Sequence, residues 1–221
     1  MKTVRNLIVT SLLTLGLSLG GNLSAEEKIA VKITRDLPYI TVTHNGKKVR
    51  IMRNQNQKNT VNPAFAKTSR KCPPFCIQPI KLAPGVETIG EVEMLDYLRR
   101  KEAGDDSILV IDSRTPDWVK RGTIPGSINI PWTKLNPTKS DPLTIADILE
   151  NQFNVKQQEG LWDFTHAKTL VMFCNGMWCG QSPNNIKALL RYGYPAHKIK
   201  WYRGGMQDWE ILGLTTVPGG E

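Results

Sequence analysis

Four cysteines are the residues of this 221-residue chain whose type and spacing point most directly to chemistry. They fall into two local pairs, Cys72 with Cys76 and Cys174 with Cys179, although four cysteines allow three connectivities. Cys174 directly follows the apolar run Thr169 to Phe173 and opens the segment CNGMWCGQSP. A helix is expected from Ser182-Pro183. Gly176 and Gly180 let the intervening backbone curl so that several N–H groups converge on one centre. The helix N-terminus adds partial positive charge. Both effects favour the thiolate, which is the nucleophilic form. Asp112 closes the other buried run, SILVID, so Asp112 and Cys174 are expected at the same carboxyl edge of a parallel sheet, where such folds bind their ligands. Two plainer readings stand beside this one: a buried, inert Cys174, or a simple Cys174–Cys179 disulfide.

Cys179 lies five positions after Cys174. It is a candidate resolving thiol, able to attack a persulfide or mixed disulfide on Cys174 and leave an intramolecular disulfide. It is equally a candidate partner in a structural disulfide. Cys72-Pro-Pro-Phe-Cys76 reads as a local disulfide stapling an irregular arm. A zinc site there would need further ligands, and the three histidines, His44, His166 and His197, do not cluster nearby. No metal and no cofactor are expected.

Around these residues the chain reads as α/β. Two alternating runs within residues 37–53 flank Asn45-Gly46, a hairpin signal because both central residues of a type I′ turn need positive φ. Residues 54–85, rich first in Asn, Gln and Lys and then in Pro, read as an arm without regular structure. From Val86 onward, strands are expected at Thr88-Ile89, Ser107 to Asp112, Ser127 to Ile130, Thr169 to Phe173 and Lys198 to Tyr202. Helices are expected over 91–103, with Val92, Leu95 and Leu98 on its buried face, from Asp141-Pro142 to about Phe153, from Ser182 to near Gly193, and through Trp209. Alternating strands and helices imply a largely parallel sheet covered on both faces. The organisation expected is a signal peptide over 1–25, a hairpin and cysteine-bearing arm over 26–85, and an α/β domain over 86–221.

The N-terminal segment carries Lys2 and Arg5, an apolar stretch from Leu7 to Leu19, and Ser24-Ala25 before Glu26. That is the pattern of an export signal cleaved after Ala25, and the stretch is too short to span a bilayer comfortably. An exported chain, periplasmic or otherwise extracytoplasmic, with no membrane span after cleavage, is the expectation. The net charge is +9, but its basic residues are scattered, with short runs such as Lys47-Lys48 and Arg99-Arg100-Lys101. No aromatic–basic stripe points to nucleic acid.

The stretch ILVIDSRTPDWVKRGTIPGSINIPW resembles the opening signature of rhodanese domains, in which an Asp-x-Arg follows a buried strand. Here that pair is Asp112 and Arg114, followed by Asp117-Trp118 and the run Gly122 to Pro131. The closing WYRGGMQDWEILGL is similar to the family's last helix, and Cys174 matches the active-site cysteine by position after the fourth strand. The resemblance covers roughly residues 86–217. It implies a five-stranded rhodanese-like fold and a Cys174 that carries sulfane sulfur as a persulfide. It further implies a loop (Asn175, Gly176, Met177, Trp178, Gly180, Gln181, Ser182) that cradles this sulfur, and structural roles near the site for Asp112 and Arg114.

Three departures matter. Thr123 stands where the family usually has His. The loop runs two residues longer than the common Cys-x-x-Gly-x-Arg-Ser pattern. Its arginine is missing, leaving Cys179-Gly180-Gln181. The missing cation puts an anionic donor such as thiosulfate in doubt and argues against phosphatase chemistry. Three functions follow: a sulfurtransferase or persulfide carrier acting between a small sulfur donor and a thiol acceptor or partner protein; a thiol–disulfide oxidoreductase using Cys174/Cys179; or a non-catalytic module that binds a partner.

Overall fold

A computed structural model describes residues 29–219; the expected signal segment and cleavage site lie outside them. Two adjacent strands, β1 (Tyr39–His44) and β2 (Lys47–Met52), pair antiparallel, with His44 opposite Lys47. Asn45 and Gly46 have φ of 47° and 73°, the two positive values that the sequence signal requires.

Five strands form one parallel sheet in the order β3-β9-β8-β4-β5: β3 (Glu87–Ile89), β4 (Ile108–Asp112), β5 (Ile128–Asn129), β8 (Thr169–Phe173) and β9 (Ile199–Tyr202). The two continuous apolar runs, β4 and β8, lie side by side at its centre. Their side chains alternate between two cores because successive residues of a strand face opposite ways. Leu109, Ile111, Leu170 and Met172 enter one core. Ile108, Val110, Val171 and Phe173 enter the other. Burial on both faces explains why neither run alternates with polar residues.

Helices cover both faces, which confirms the rhodanese-like α/β expectation. The first core packs against α3 (Trp132–Leu135), α4 (Pro142–Asp147) and α5 (Gln181–Arg191). The second packs against α1 (Glu91–Glu102) and α6 (Gly205–Ile211), and the hairpin adds Ile40, Val42 and Ile51. The helix expected from Asp141-Pro142 is α4 continued by a π-helical turn, Ile148–Gln152; Asp141 Oδ1 accepts from the Thr144 N–H at 2.9 Å.

Val92 corrects one expectation. It is exposed, and Met94 joins Leu95 and Leu98 in the core. At roughly 100° per residue, Val92 falls well to the side of the stripe drawn through those three. Four elements had no sequence expectation: the four-residue helix α2 (Pro116–Val119), α3 itself, the 3-10 turn Ala196–Lys198, and a hairpin of β6 (Lys156–Gln158) and β7 (Leu161–Asp163).

The arm is anchored rather than loose. Phe65 is buried in the second core, and Cys72 and Cys76 form a disulfide with Cα atoms 4.7 Å apart. No helix of the described residues is long and apolar enough to cross a membrane.

Candidate active site

Cys174 continues directly from β8, the central strand, and its loop runs into α5. The backbone of this loop is fixed from the far side by α6. Met206 N–H donates to the Cys174 carbonyl at 2.9 Å and Gln207 N–H to the Asn175 carbonyl at 3.0 Å. This close approach requires Gly205, whose φ is 56°. A Cβ there would collide with the Cys174 carbonyl oxygen.

The Cys174 sulfur is buried and surrounded by donors. Ser182 Oγ donates to it at 3.1 Å. Ser182 is held in that role by Trp201, whose indole Nε1–H donates to Ser182 Oγ at 3.1 Å and leaves the hydroxyl hydrogen for the sulfur. The Ser182 and Gly176 backbone N–H groups and the Cys179 thiol also donate to it. Burial alone would push the Cys174 thiol up. These donors outweigh burial and bring it down to about 7. When protonated, the Cys174 thiol rests on the Cys179 carbonyl oxygen at 3.4 Å.

Cys179 is also buried and free rather than bonded to Cys174. Burial, and then its hydrogen bond and proximity to Cys174, push its thiol well up. The pair therefore divides its labour: Cys174 is the sulfur that ionises first, and Cys179 stays the protonated donor. Spacing brought the two cysteines together correctly; the opposite directions of their titration follow from which sulfur the loop N–H groups and Ser182 face.

Asp112 and Arg114 stand beside the loop as a fully buried pair. Arg114 Nη2 meets Asp112 Oδ2 at 2.6 Å and the Gly122 carbonyl at 2.6 Å, while Nη1 reaches Asn175 Oδ1 at 3.3 Å. Thr123 fills the position of the usual histidine by donating Oγ1 to Asp112 Oδ2 at 2.7 Å. This network holds the loop through Asn175; Asp112 and Arg114 are engaged with each other, and neither is hydrogen-bonded to the Cys174 sulfur.

The remaining loop residues face the arm and α6. Trp178 Nε1 donates to Gln207 Oε1 at 2.7 Å, and the Met177 carbonyl accepts from Gln78 N–H at 2.8 Å. Gly180 caps α5, and Gln181 begins it, one residue before the expected start. Phe75, inside the Cys72–Cys76 loop, meets the Trp178 ring edge-on with centroids 5.6 Å apart. The Arg70 guanidinium lies 4.4 Å from the Trp178 centroid. Sequence reasoning missed Trp201, Gln207, Arg70 and Phe75. The first two belong to the closing motif, yet nothing in their spacing says that they touch the loop. The last two lie on the arm, far from Cys174 along the chain.

A parallel sheet with a cradled cysteine at the end of its central strand is the arrangement of one family of α/β domains. The rhodanese-like domain family model matches residues 94–212, and the chain belongs to that family. A curated relative, an HTH-type transcriptional regulator from Mycobacterium tuberculosis, is 27% identical over 124 residues, 56% of this chain; the match spans 43%, less than half, of that regulator's length. Among solved structures, a thiosulfate sulfurtransferase from Pseudomonas aeruginosa is 18% identical, with 61% of this chain and 21% of that chain covered, at a TM-score of 0.40. A rhodanese-related protein from Thermoplasma volcanium is 18% identical, with 59% and 97% covered, at a TM-score of 0.34.

Proposed function

We propose that this protein is a sulfurtransferase or persulfide carrier working through Cys174. The observation that carries the reading is the set of donors around one buried sulfur: Ser182 Oγ–H, the Ser182 and Gly176 N–H groups, and the Cys179 thiol. Such a cradle stabilises a sulfur anion, which is the species that both begins and ends each half-reaction. In the first half, the Cys174 thiolate attacks the sulfane sulfur of a donor. The donor's S–S bond breaks, its electron pair leaves with the donor remnant, and a Cys174 persulfide forms. In the second, an acceptor thiolate attacks the outer sulfur and Cys174 leaves as the thiolate. No proton needs to be moved by a separate base, in keeping with the structural engagement of Asp112 with Arg114. A small sulfur donor and an acceptor thiol, free or on a partner protein, are the reactants of this scheme.

One observation favours a second use of the pair. The Cys179 thiol lies within hydrogen-bond reach of Cys174. Attack by a Cys179 thiolate on Cys174 of the persulfide would expel hydrosulfide, leaving a Cys174–Cys179 disulfide that an external dithiol must reduce. The upward push on the Cys179 thiol makes this path slow at neutral pH.

We place the protein outside the cytoplasm. The signal-like N-terminal sequence and the Cys72–Cys76 disulfide support this reading. We take residues 86–221 as the catalytic unit and the preceding hairpin and arm as an appendage packed against it.

The test is intact mass spectrometry of the reduced protein before and after a sulfane donor, then after an acceptor thiol. Wild-type protein should gain one sulfur atom and lose it to the acceptor, and Cys174→Ser protein should gain none. An equal gain in the Cys174→Ser variant would place the chemistry elsewhere.

A further inference from the structure

The loop lacks the arginine expected of it, yet a guanidinium stands on the loop all the same. Arg70 comes from the arm, outside residues 94–212 that match the family. Its guanidinium carbon lies 4.4 Å from the Trp178 centroid, 5.4 Å from that of Phe75 and 5.5 Å from that of Trp118. Three rings from three segments therefore surround one cation: the arm, α2 and the Cys174 loop. Among the described residues no carboxylate pairs with it. Its Nε is buried without a hydrogen-bond partner. A guanidinium held by rings rather than by an acid keeps its positive charge unneutralised at the loop.

The arm is built to keep this cation in place. The disulfide closes the Cys72–Cys76 turn and presents Phe75 to Trp178. Just beyond it, Gln78 N–H donates to the Met177 carbonyl at 2.8 Å, and the Gln78 carbonyl accepts from Arg203 Nη2 at 2.8 Å. The arm is thus fastened to the loop and to the end of β9. A second guanidinium, Arg121, lies 4.4 Å from the centroid of the same Trp118 ring and adds positive charge to this rim.

We propose that Arg70 is the anion anchor of the site, holding the oxyanion group of a sulfur donor of the thiosulfonate class at the mouth of the Cys174 loop. The assignment rests on the reading of Cys174 as the sulfur acceptor. With thiosulfate, the Cys174 thiolate attacks the outer sulfur, the S–S bond breaks, and sulfite leaves with the electron pair; the proposal seats on Arg70 the end of the donor that becomes sulfite. Charge-assisted bonds from a guanidinium fork suit an oxyanion and offer little to an uncharged polysulfide. Arg70 therefore sets which donors load the cysteine.

Donor selectivity tests this directly. The rate of Cys174 modification is measured by intact mass with thiosulfate, which leaves the persulfide and releases sulfite, and with a neutral dialkyl trisulfide, which leaves a mixed disulfide and releases the alkyl persulfide anion, and their ratio is compared between variants. Arg70→Gln should lower the thiosulfate-to-trisulfide ratio about tenfold. Lys67→Gln, which removes the same charge from an exposed position of the same arm, should leave the ratio within twofold. Arg70→Lys keeps a cation over the rings, preserves the seating of the arm, and should recover part of the loss. Equal ratios in Arg70→Gln and Lys67→Gln, or in Arg70→Lys and Arg70→Gln, would overturn the assignment. Thiosulfate binding to Cys174→Ala protein, followed by tryptophan fluorescence, separates the anchor from the chemistry. Saturable binding that Arg70→Gln weakens about tenfold supports the anchor even if no sulfur is ever transferred. Absence of binding at millimolar thiosulfate refutes it even if Cys174 accepts sulfur from other donors.

Discussion

Trp201 controls Ser182. With its indole N–H placed 3.1 Å from Ser182 Oγ, it occupies the hydroxyl as an acceptor, and the serine's own hydrogen is left for Cys174 Sγ, also 3.1 Å away. A hydroxyl free to rotate would share that hydrogen among several acceptors. The indole is itself almost fully buried in the first core, so the orientation of this donor to the Cys174 sulfur is fixed by the packing of the sheet against α5.

Removing this donor should be measurable. A hydrogen bond to a charged group is worth about 1.5–3 kcal/mol, and about 1.4 kcal/mol corresponds to one pKa unit. Ser182→Ala is expected to raise the Cys174 thiol by about one unit, read from the pH dependence of alkylation. Trp201→Phe should shift it in the same direction by less. An unchanged titration in Ser182→Ala would mean that the backbone donors and the Cys179 thiol hold the thiolate without it.

The two cysteines should separate by pH. Because Cys174 is brought down to about 7, its alkylation rate should be half-maximal near pH 7 and fall about tenfold per unit below that. Cys179 is pushed up, so it should stay unmodified until well into alkaline pH. Peptide mapping after limited iodoacetamide treatment distinguishes them. Faster labelling of Cys179 at neutral pH contradicts the division of roles.

The same directions predict the fate of a persulfide. If Cys179 stays protonated, Cys179→Ser should leave the persulfide lifetime at pH 7 within twofold of wild type. In wild-type protein alone, the lifetime should shorten as the pH rises into the range where Cys179 ionises. A lifetime several-fold longer in Cys179→Ser at pH 7 would instead identify Cys179 as the resolving thiol. Time-resolved intact mass supplies the measurement.

Stability should depend on the Asp112–Arg114 pair. Arg114→Met removes one member of a fully buried ion pair and leaves the other without its countercharge, a change of about 3–5 kcal/mol. Urea unfolding should show a loss of this size, together with slower sulfur loading as Asn175 loses its tether. A loss below 1 kcal/mol, on the order of a surface pair, would show that Asp112 finds compensation from Thr123 and the Arg114 backbone N–H.

Much of the sheet was legible because its signals are local. TLVMF and SILVID are continuous apolar runs of strand length, typical of strands buried on both faces. Cys174 was legible through its place between such a run and a helix. Trp201 and Gln207 were not, because their contacts with Ser182 and Trp178 arise only when β9 and α6 pack beside the loop. Arg70 was hidden more deeply, since a cation on a polar, Pro-rich arm looks like any solvated charge until three rings close around it. The β6–β7 hairpin escaped notice because its strands are three residues each, too short to set an alternation, and its turn is Glu159-Gly160 rather than a stronger turn pair.

The Cys72–Cys76 staple gives this architecture a sense of place. Phe75 and the neighbouring Arg70 belong to a segment closed by an oxidised bond, whereas Cys174, at the start of the loop that they touch, is a free and buried thiol. One site thus asks for two opposite redox conditions at once. The assembled site therefore combines an oxidised pair on its surface, Cys72–Cys76, with a free and buried thiol beneath it, Cys174.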